Sequence, residues 1–244
     1  MRHIALIPAR GGSVSIKDKN IQMLGEKSLV KHAWDSCLLS GIFDLTLLST
    51  DSSAISKNIS TLIEFNDMKT DEIQFVNNSS AIHRRSVSDA EMLSPIKNVL
   101  FKIANRKDLV FDFIWLIQPT TPFRENLEFL ELLKVIKTNA DWSSIVSVKE
   151  CTSQHPSRMY TLKNSYIENY VDANENDSGP RQLLSQVFIK DGGFYIFKRE
   201  NLKNGIFLGT RILPFIRDSS HNVNIDMQED LDFARFLEKN RKLN

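Results

Sequence analysis

The chain reads as an α/β protein, a mostly parallel sheet with helices on its faces. Two observations predict this. Short apolar strand-like runs alternate with helical patterns through the first half of the sequence. One of these runs, 113–117, is almost continuously apolar and stops at Gln118-Pro119, as a strand covered on both faces should. With 244 residues, 41% of them hydrophobic, the chain is long enough for one such domain without covalent staples.

The first strand is 4–7, ending in Pro8. Leu29, Val30, Ala33, Trp34 and Cys37 recur at helical spacing, so 29–39 is a helix, and Gly41 suits its C-cap. Residues 45–48 form a second strand leading into Ser49-Thr50-Asp51, where Asp51 or Ser52 can cap a helix over 54–63. A shorter strand follows at 73–76. Ile96, Val99, Leu100 and Ile103 mark another helix, and 127–136 the next. Beyond Ser143 the pattern turns strand-like, at 145–148, 159–162, 188–189 and 193–197. Asp191-Gly192 between the last two is a hairpin signal. The polar stretch 160–186 reads as a β-rich excursion. A last strand at 211–216 and a helix at 229–237 close the chain.

With 31 basic against 30 acidic residues, the net charge of +1 gives no support for a nucleic-acid or anionic-membrane partner. No apolar run is long enough to span a bilayer. Cys37 and Cys151 belong to no ligand-like cluster, and two reduced thiols suit a cytoplasmic protein. The five histidines show no metal-binding spacing.

Chemistry concentrates first at residues 8–20. A strand ends and opens into a turn of small residues carrying Arg10, Ser13, Lys17 and Lys19. Gly11 and Gly12 lack a Cβ, so a ligand can approach their backbone closely. Free backbone N–H groups and positive charge at a strand exit suit a polyphosphate, though an ordinary glycine-containing connection looks the same. The spacing matches neither a Walker A loop nor GxGxxG.

Pro8-Ala9-Arg10-Gly11-Gly12-Ser13, followed by Lys19-Asn20, resembles the signature of the CMP-sialic acid synthetases (acylneuraminate cytidylyltransferases), a family that activates nine-carbon 2-keto acids with CTP. The resemblance implies a Rossmann-like sheet of nucleotidyltransferase type and nucleotide contacts from Ala9, Arg10, Gly11, Gly12, Ser13, Lys19 and Asn20. The family's usual Ser-Lys-Gly is here Ser13-Val14-Ser15, so one phosphate-contacting lysine is missing, and Lys17 is the nearest replacement.

Gln118-Pro119-Thr120-Thr121-Pro122-Phe123-Arg124 is a stiff turn at a strand end, where α/β sheets bind ligands. By itself it better fits a rigid loop with Arg124 on the surface. It resembles the family's Gln-Pro-Thr-Ser-Pro-Leu-Arg, which implies that Gln118, with Thr120, faces the sugar acid. Ser49-Thr50-Asp51 resembles a further family motif, although a helix cap explains most of it. The resemblance places Arg85 and Ser94 against the nucleotide, and Tyr195 against the sugar. It also implies that Arg158 and Arg181 reach a partner subunit's site from a dimerisation lobe at about 145–185, inserted in a single domain spanning 1–244. Each arginine taken alone is a solvated surface charge.

Alternation puts Asn224 and Asp226 on one face of a strand, where two oxygen-bearing side chains can hold Mg²⁺ or Mn²⁺ together with phosphate oxygens and water. The family has aspartate at both positions. With Asn224 one negative charge is lost and the ion should be held less firmly.

The resemblance thus implies a cytidylyltransferase joining CMP to the anomeric hydroxyl of a nonulosonic acid, with Arg10, Lys19 and Asp226 as catalytic residues. It further implies a homodimer with shared active sites. Two alternatives stay open: another keto sugar acid as acceptor, or a catalytically weakened relative that binds a nucleotide or partner without turnover. Val14, Ser15 and Asn224 motivate the second.

Overall fold

The computed structural model describes residues 1–85, 95–151, 154–171, 184–218 and 222–241. In chain order its elements begin with β1 (His3–Ala9), the small ribbon β2 (Met23–Leu24) and β3 (Lys27–Ser28), α1 (Leu29–Ser40), β4 (Leu45–Thr50) and α2 (Ser53–Ile59). Next come β5 (Ile73–Asn77), β6 (Ser80–Arg84), α3 (Pro95–Asn105), β7 (Phe113–Leu116), α4 (Asn126–Thr138) and β8 (Ser144–Glu150). The rest comprises β9 (Tyr160–Lys163), β10 (Tyr166–Asn169), β11 (Phe188–Lys198), α5 (Arg199–Lys203), β12 (Ile212–Ile216) and α6 (Gln228–Arg241).

Eight strands form one sheet in the order β12-β8-β11-β7-β1-β4-β6-β5. Strands β7, β1, β4 and β6 run parallel, so their carboxyl ends open on one edge of the sheet. β11 runs antiparallel between β7 and β8. Alternation along β1 divides the core: Ala5, Ile7 and Ala9 join the cluster under α1 and α4, while Ile4 and Leu6 face α3 and α5. A third cluster, containing Ile16, Leu24, Phe123, Ile225 and Leu231, packs α6 against the ribbon and the loops around the parallel carboxyl ends.

Several details depart from the sequence reading. The helix expected to reach residue 63 stops at Ile59, with Ser60 extended and its N–H on the Ser56 carbonyl. β5 is an antiparallel edge strand, and its partner β6 was not foreseen, because Ser80 and His83 are buried polar residues in a strand with few apolar ones. The hairpin expected at Asp191-Gly192 is instead a bulge within the continuous β11, where the register to β8 shifts between Lys190 and Tyr195. β9 and β10 make a hairpin of their own, exposed along both strands.

Candidate functional site

The loops after β1, β6 and β7 enclose a cleft of about 420 Å³. Its walls include Arg10, Ser13, Lys19, Asn20, Arg85, Gln118 and Thr120, so seven of the residues singled out in the sequence converge on one place. Arg10, Arg85 and Gln118 sit just beyond the carboxyl ends of parallel strands, the position where open α/β sheets bind ligands, and Lys19 and Asn20 join them from a 3₁₀ turn at 19–21.

The glycine loop is held from within. Ala9, fully buried, ends β1, and Asn20 Nδ2 donates to the Arg10 carbonyl at 2.9 Å, closing the loop across its base. Gly12 has φ 64° and open space where a side chain would stand, a conformation that favours glycine. The N–H of Gly11 is not free for a ligand, since it donates to Asp51 Oδ1 at 2.8 Å. That same carboxylate oxygen lies 3.5 Å from Arg85 Nη2. Asp51 is therefore not the helix cap: Ser52 accepts the Ile55 N–H, and Asp51 joins the loop to Arg85. Val14, 93% exposed, lines the cleft, whereas Lys17 is not among its lining residues.

The C-terminal stretch arrives as a loop rather than a strand, so its two polar residues are not set by strand alternation. The Ile225 N–H donates to the Thr120 carbonyl at 2.8 Å, which pins this stretch to the cleft. Lys19 Nζ donates to the Ile225 carbonyl at 3.0 Å and lies 3.5 Å from Asp226 Oδ1. Asn224 Nδ2 donates to Asp226 Oδ2 at 2.7 Å. Arg10 and Asp226, at opposite ends of the sequence, thus belong to one neighbourhood.

Beneath Gln118 lies a group of charges that sequence reasoning missed. Arg124, expected on the surface, turns inward and donates from Nη2 to the Gln118 carbonyl at 2.8 Å and from Nε to the Gly193 carbonyl at 3.0 Å. Arg217 donates to Glu128 at 2.6 and 3.1 Å, to Asp191 Oδ2 at 3.0 Å and to the Phe123 carbonyl at 2.8 Å. Burial opposes ionisation of Asp191, but Arg217, Ser147 and the Gly193 N–H outweigh it and hold the carboxyl below the usual carboxylate range. Burial alone would lower Arg217; Glu128 and Asp191 reverse this and raise it. The sequence shows only four charged residues scattered along the chain, and charged residues are more often exposed to solvent.

Other expected residues lie elsewhere. Tyr195 pairs with Leu116 in the sheet and packs against the core under α3 and α5, not among the residues lining the cleft. Arg158 ends a 3₁₀ turn, exposed, beside the β9–β10 hairpin and outside this chain's cleft. Ser94 and Arg181 lie outside the described residues.

Asp226 is 66% exposed, and Asn224 presents its amide nitrogen to it. Among the described residues no group of three or more His, Cys, Asp or Glu side chains could hold a metal by itself. One carboxylate beside a cleft lined by Arg10, Lys19 and Arg85 fits Mg²⁺, which usually takes one or two carboxylates and draws its other ligands from phosphate and water.

A family model described as cytidylyltransferase matches residues 4–243. The chain is 25% identical to the N-acylneuraminate cytidylyltransferase of Escherichia coli O18:K1:H7, over 98% of this chain and 53% of that protein. It therefore spans about half the length of the first such relatives. It is also 25% identical to the CMP-N,N'-diacetyllegionaminic acid synthase of Legionella pneumophila, over 100% of this chain and 98% of that one. Among solved structures, a CMP:2-keto-3-deoxy-manno-octonic acid synthetase complexed with CTP aligns with a TM-score of 0.64 over 99% of this chain and all of that chain. At 14% identity this last likeness shows the fold alone.

Proposed function

This chain belongs to the cytidylyltransferase family, and on that premise we propose that it transfers CMP from CTP to the anomeric hydroxyl of a nonulosonic acid of the sialic or legionaminic type, releasing pyrophosphate. One observation carries the reading. Arg10, Lys19, Arg85 and Gln118 line a single cleft, and Asp226 stands beside Lys19.

In this reading the triphosphate lies along the glycine loop. The hydroxyl attacks the α-phosphorus in line with the departing pyrophosphate; an oxygen–phosphorus bond forms as the bond to pyrophosphate breaks, and the hydroxyl proton leaves to water. Such chemistry requires alignment and charge neutralisation more than covalent help. Arg10 and Lys19 neutralise the charge that builds on the leaving group. Asn20 keeps the loop closed, Ser13 orients a phosphate, and Arg85 contacts the nucleotide. Gln118 and Thr120 face the sugar acid. Asp226, with Asn224 beside it, would hold Mg²⁺ or Mn²⁺, which supplies further charge neutralisation at the phosphates.

The acting form is a homodimer. Tyr160, Leu162, Tyr166, Ile167 and Tyr170 on the hairpin are 58% to 77% exposed. A lone two-stranded ribbon is marginal in water, and an apolar surface of this kind favours cover by a partner. The lobe expected at about 145–185 starts later than that, since residues 145–150 belong to β8 of the main sheet; its remainder would then carry Arg158 and Arg181 to the other subunit's sugar acid. No helix among the described residues is long and apolar enough to cross a membrane, and the cytoplasm supplies CTP to such an enzyme.

Pyrophosphate release from CTP, measured with a panel of nonulosonic and octulosonic acids and either Mg²⁺ or Mn²⁺, tests the reading. CTP binding without pyrophosphate from any acceptor would move the protein to the binding-only alternative.

A further inference from the structure

We infer that Arg124 is the positioning residue for the acceptor half of the cleft, an inference that rests on the reading just given. Its two hydrogen bonds reach carbonyls on different elements: Gln118, on the loop after β7, and Gly193, in the bulge of β11. One rigid guanidinium fork therefore sets the distance between loop and bulge.

That distance matters because of Gly192. Its φ is 81°, and a Cβ there would lie 2.8 Å from Thr121 Oγ1, 3.2 Å from Asn224 Oδ1 and 3.4 Å from Gln118 Oε1. Three polar side chains from two loops thus rest on one bare stretch of backbone. The bulge also receives support from Asp191, which accepts the Gly193 N–H at 2.9 Å and is paired with Arg217. Arg124 carries that support across to Gln118, beside a longer contact in which Thr121 Oγ1 donates to the Asp191 carbonyl at 3.5 Å.

The arrangement is costly. Burial, with the neighbouring Arg217 adding to it, pushes the Arg124 guanidinium down to about 10. Its Nη1 is buried with no hydrogen-bond partner among the described residues, and its charge and that of Arg217 lie 5.6 and 5.3 Å from the Phe194 ring centre. An apolar side chain of similar volume would fill this space at lower cost. The two carbonyls are what a guanidinium does here that an apolar group cannot.

The test is R124K, which keeps the charge and loses the fork. The KM for the best acceptor of the panel should rise roughly ten- to a hundredfold, while the Kd of CTP alone stays within about twofold of wild type. Hydrogen exchange should quicken together in peptides covering 117–124 and 190–195 and stay unchanged over 10–20. If R124K does not fold, G192A should give the same acceptor-side pattern, since its Cβ would stand 2.8 Å from Thr121 Oγ1 and push the loop after β7 away from the bulge with both arginines in place. An acceptor KM equal to wild type, CTP affinity falling as far as that for the acceptor, or exchange unchanged in both peptides would overturn the inference. A wild-type enzyme silent with every acceptor counts against the function alone, and the exchange arm still decides the role of Arg124.

Discussion

Lys19 Nζ stands 3.5 Å from Asp226 Oδ1, joining the first loop of the chain to its last. The lysine side chain is 12% exposed and the carboxylate 66%, so the ammonium is held by protein while the carboxylate faces outward. Lys19 also lines the cleft, where it can serve a phosphate. K19A should lower kcat/KM by roughly a hundred- to a thousandfold, the loss typical of removing one donor to developing charge. D226N should fall comparably, and should also need more Mg²⁺ for half-maximal rate. Pyrophosphate release titrated with Mg²⁺ checks both; a D226N metal requirement equal to wild type would remove the metal from this residue.

Asn224 donates its amide to Asp226 at 2.7 Å, filling one carboxylate oxygen with a neutral donor. N224D replaces that donor with a second negative charge. Two carboxylates this close repel each other unless a cation sits with them. The variant should therefore bind Mg²⁺ more tightly, roughly tenfold for about 1.4 kcal/mol of added attraction. Its melting temperature should fall in EDTA and recover when Mg²⁺ is added. Isothermal titration with Mg²⁺ in the presence of CTP, wild type against N224D, is the direct measurement.

A single oxygen of Asp51 serves both the Gly11 N–H at 2.8 Å and Arg85 at 3.5 Å. The two contacts can be separated. D51N leaves an acceptor for Gly11 and removes the charge beside Arg85, whereas D51A removes both. D51A should raise the KM for CTP by roughly tenfold or more, as loss of a buried charge-assisted contact does. D51N should lie between D51A and wild type. Initial rates at varied CTP, with the acceptor saturating, read this out. Equal CTP KM in all three proteins would leave Asp51 with no part in holding the loop.

Much of the site is legible in the sequence because its signals are local. A strand that stops at Pro8, two glycines and a run of cations already describe the phosphate loop, and the paired prolines after Gln118 describe the opposite wall. The charges beneath that wall are not legible. Arg217 meets Glu128 across 89 positions and Asp191 across 26, and nothing near any of the three marks it as buried. Asp191-Gly192 misleads for a related reason. The dipeptide favours a tight turn in isolation, but Asp191 bonds to Ser147 on β8 and to the Gly193 N–H, keeping the chain within the sheet as a bulge. β6 escapes notice because one of its interior positions is His83, whose partner Ser49 lies on the neighbouring strand.

That histidine also governs how stability should depend on pH. His83 is 1% exposed, its Nδ1 is 3.0 Å from Ser49 Oγ and its Nε2 is 3.5 Å from Asp71 Oδ1. Burial lowers its pKa to about 4, against the partial opposition of Asp71. The folded protein therefore keeps His83 neutral over a range where the unfolded chain takes up a proton near its ordinary 6.5. The stability linked to this group is complete above that ordinary value and is lost as the pH falls toward the folded-state pKa, a total on the order of 3 kcal/mol. Chemical denaturation between about pH 7.5 and 4.5 should show the wild type weakening toward the acid side. H83Q keeps a polar group near Ser49 and does not titrate. It should start less stable at neutral pH and decline less steeply. A variant that loses stability with the same slope as wild type would place the acid sensitivity elsewhere in the protein.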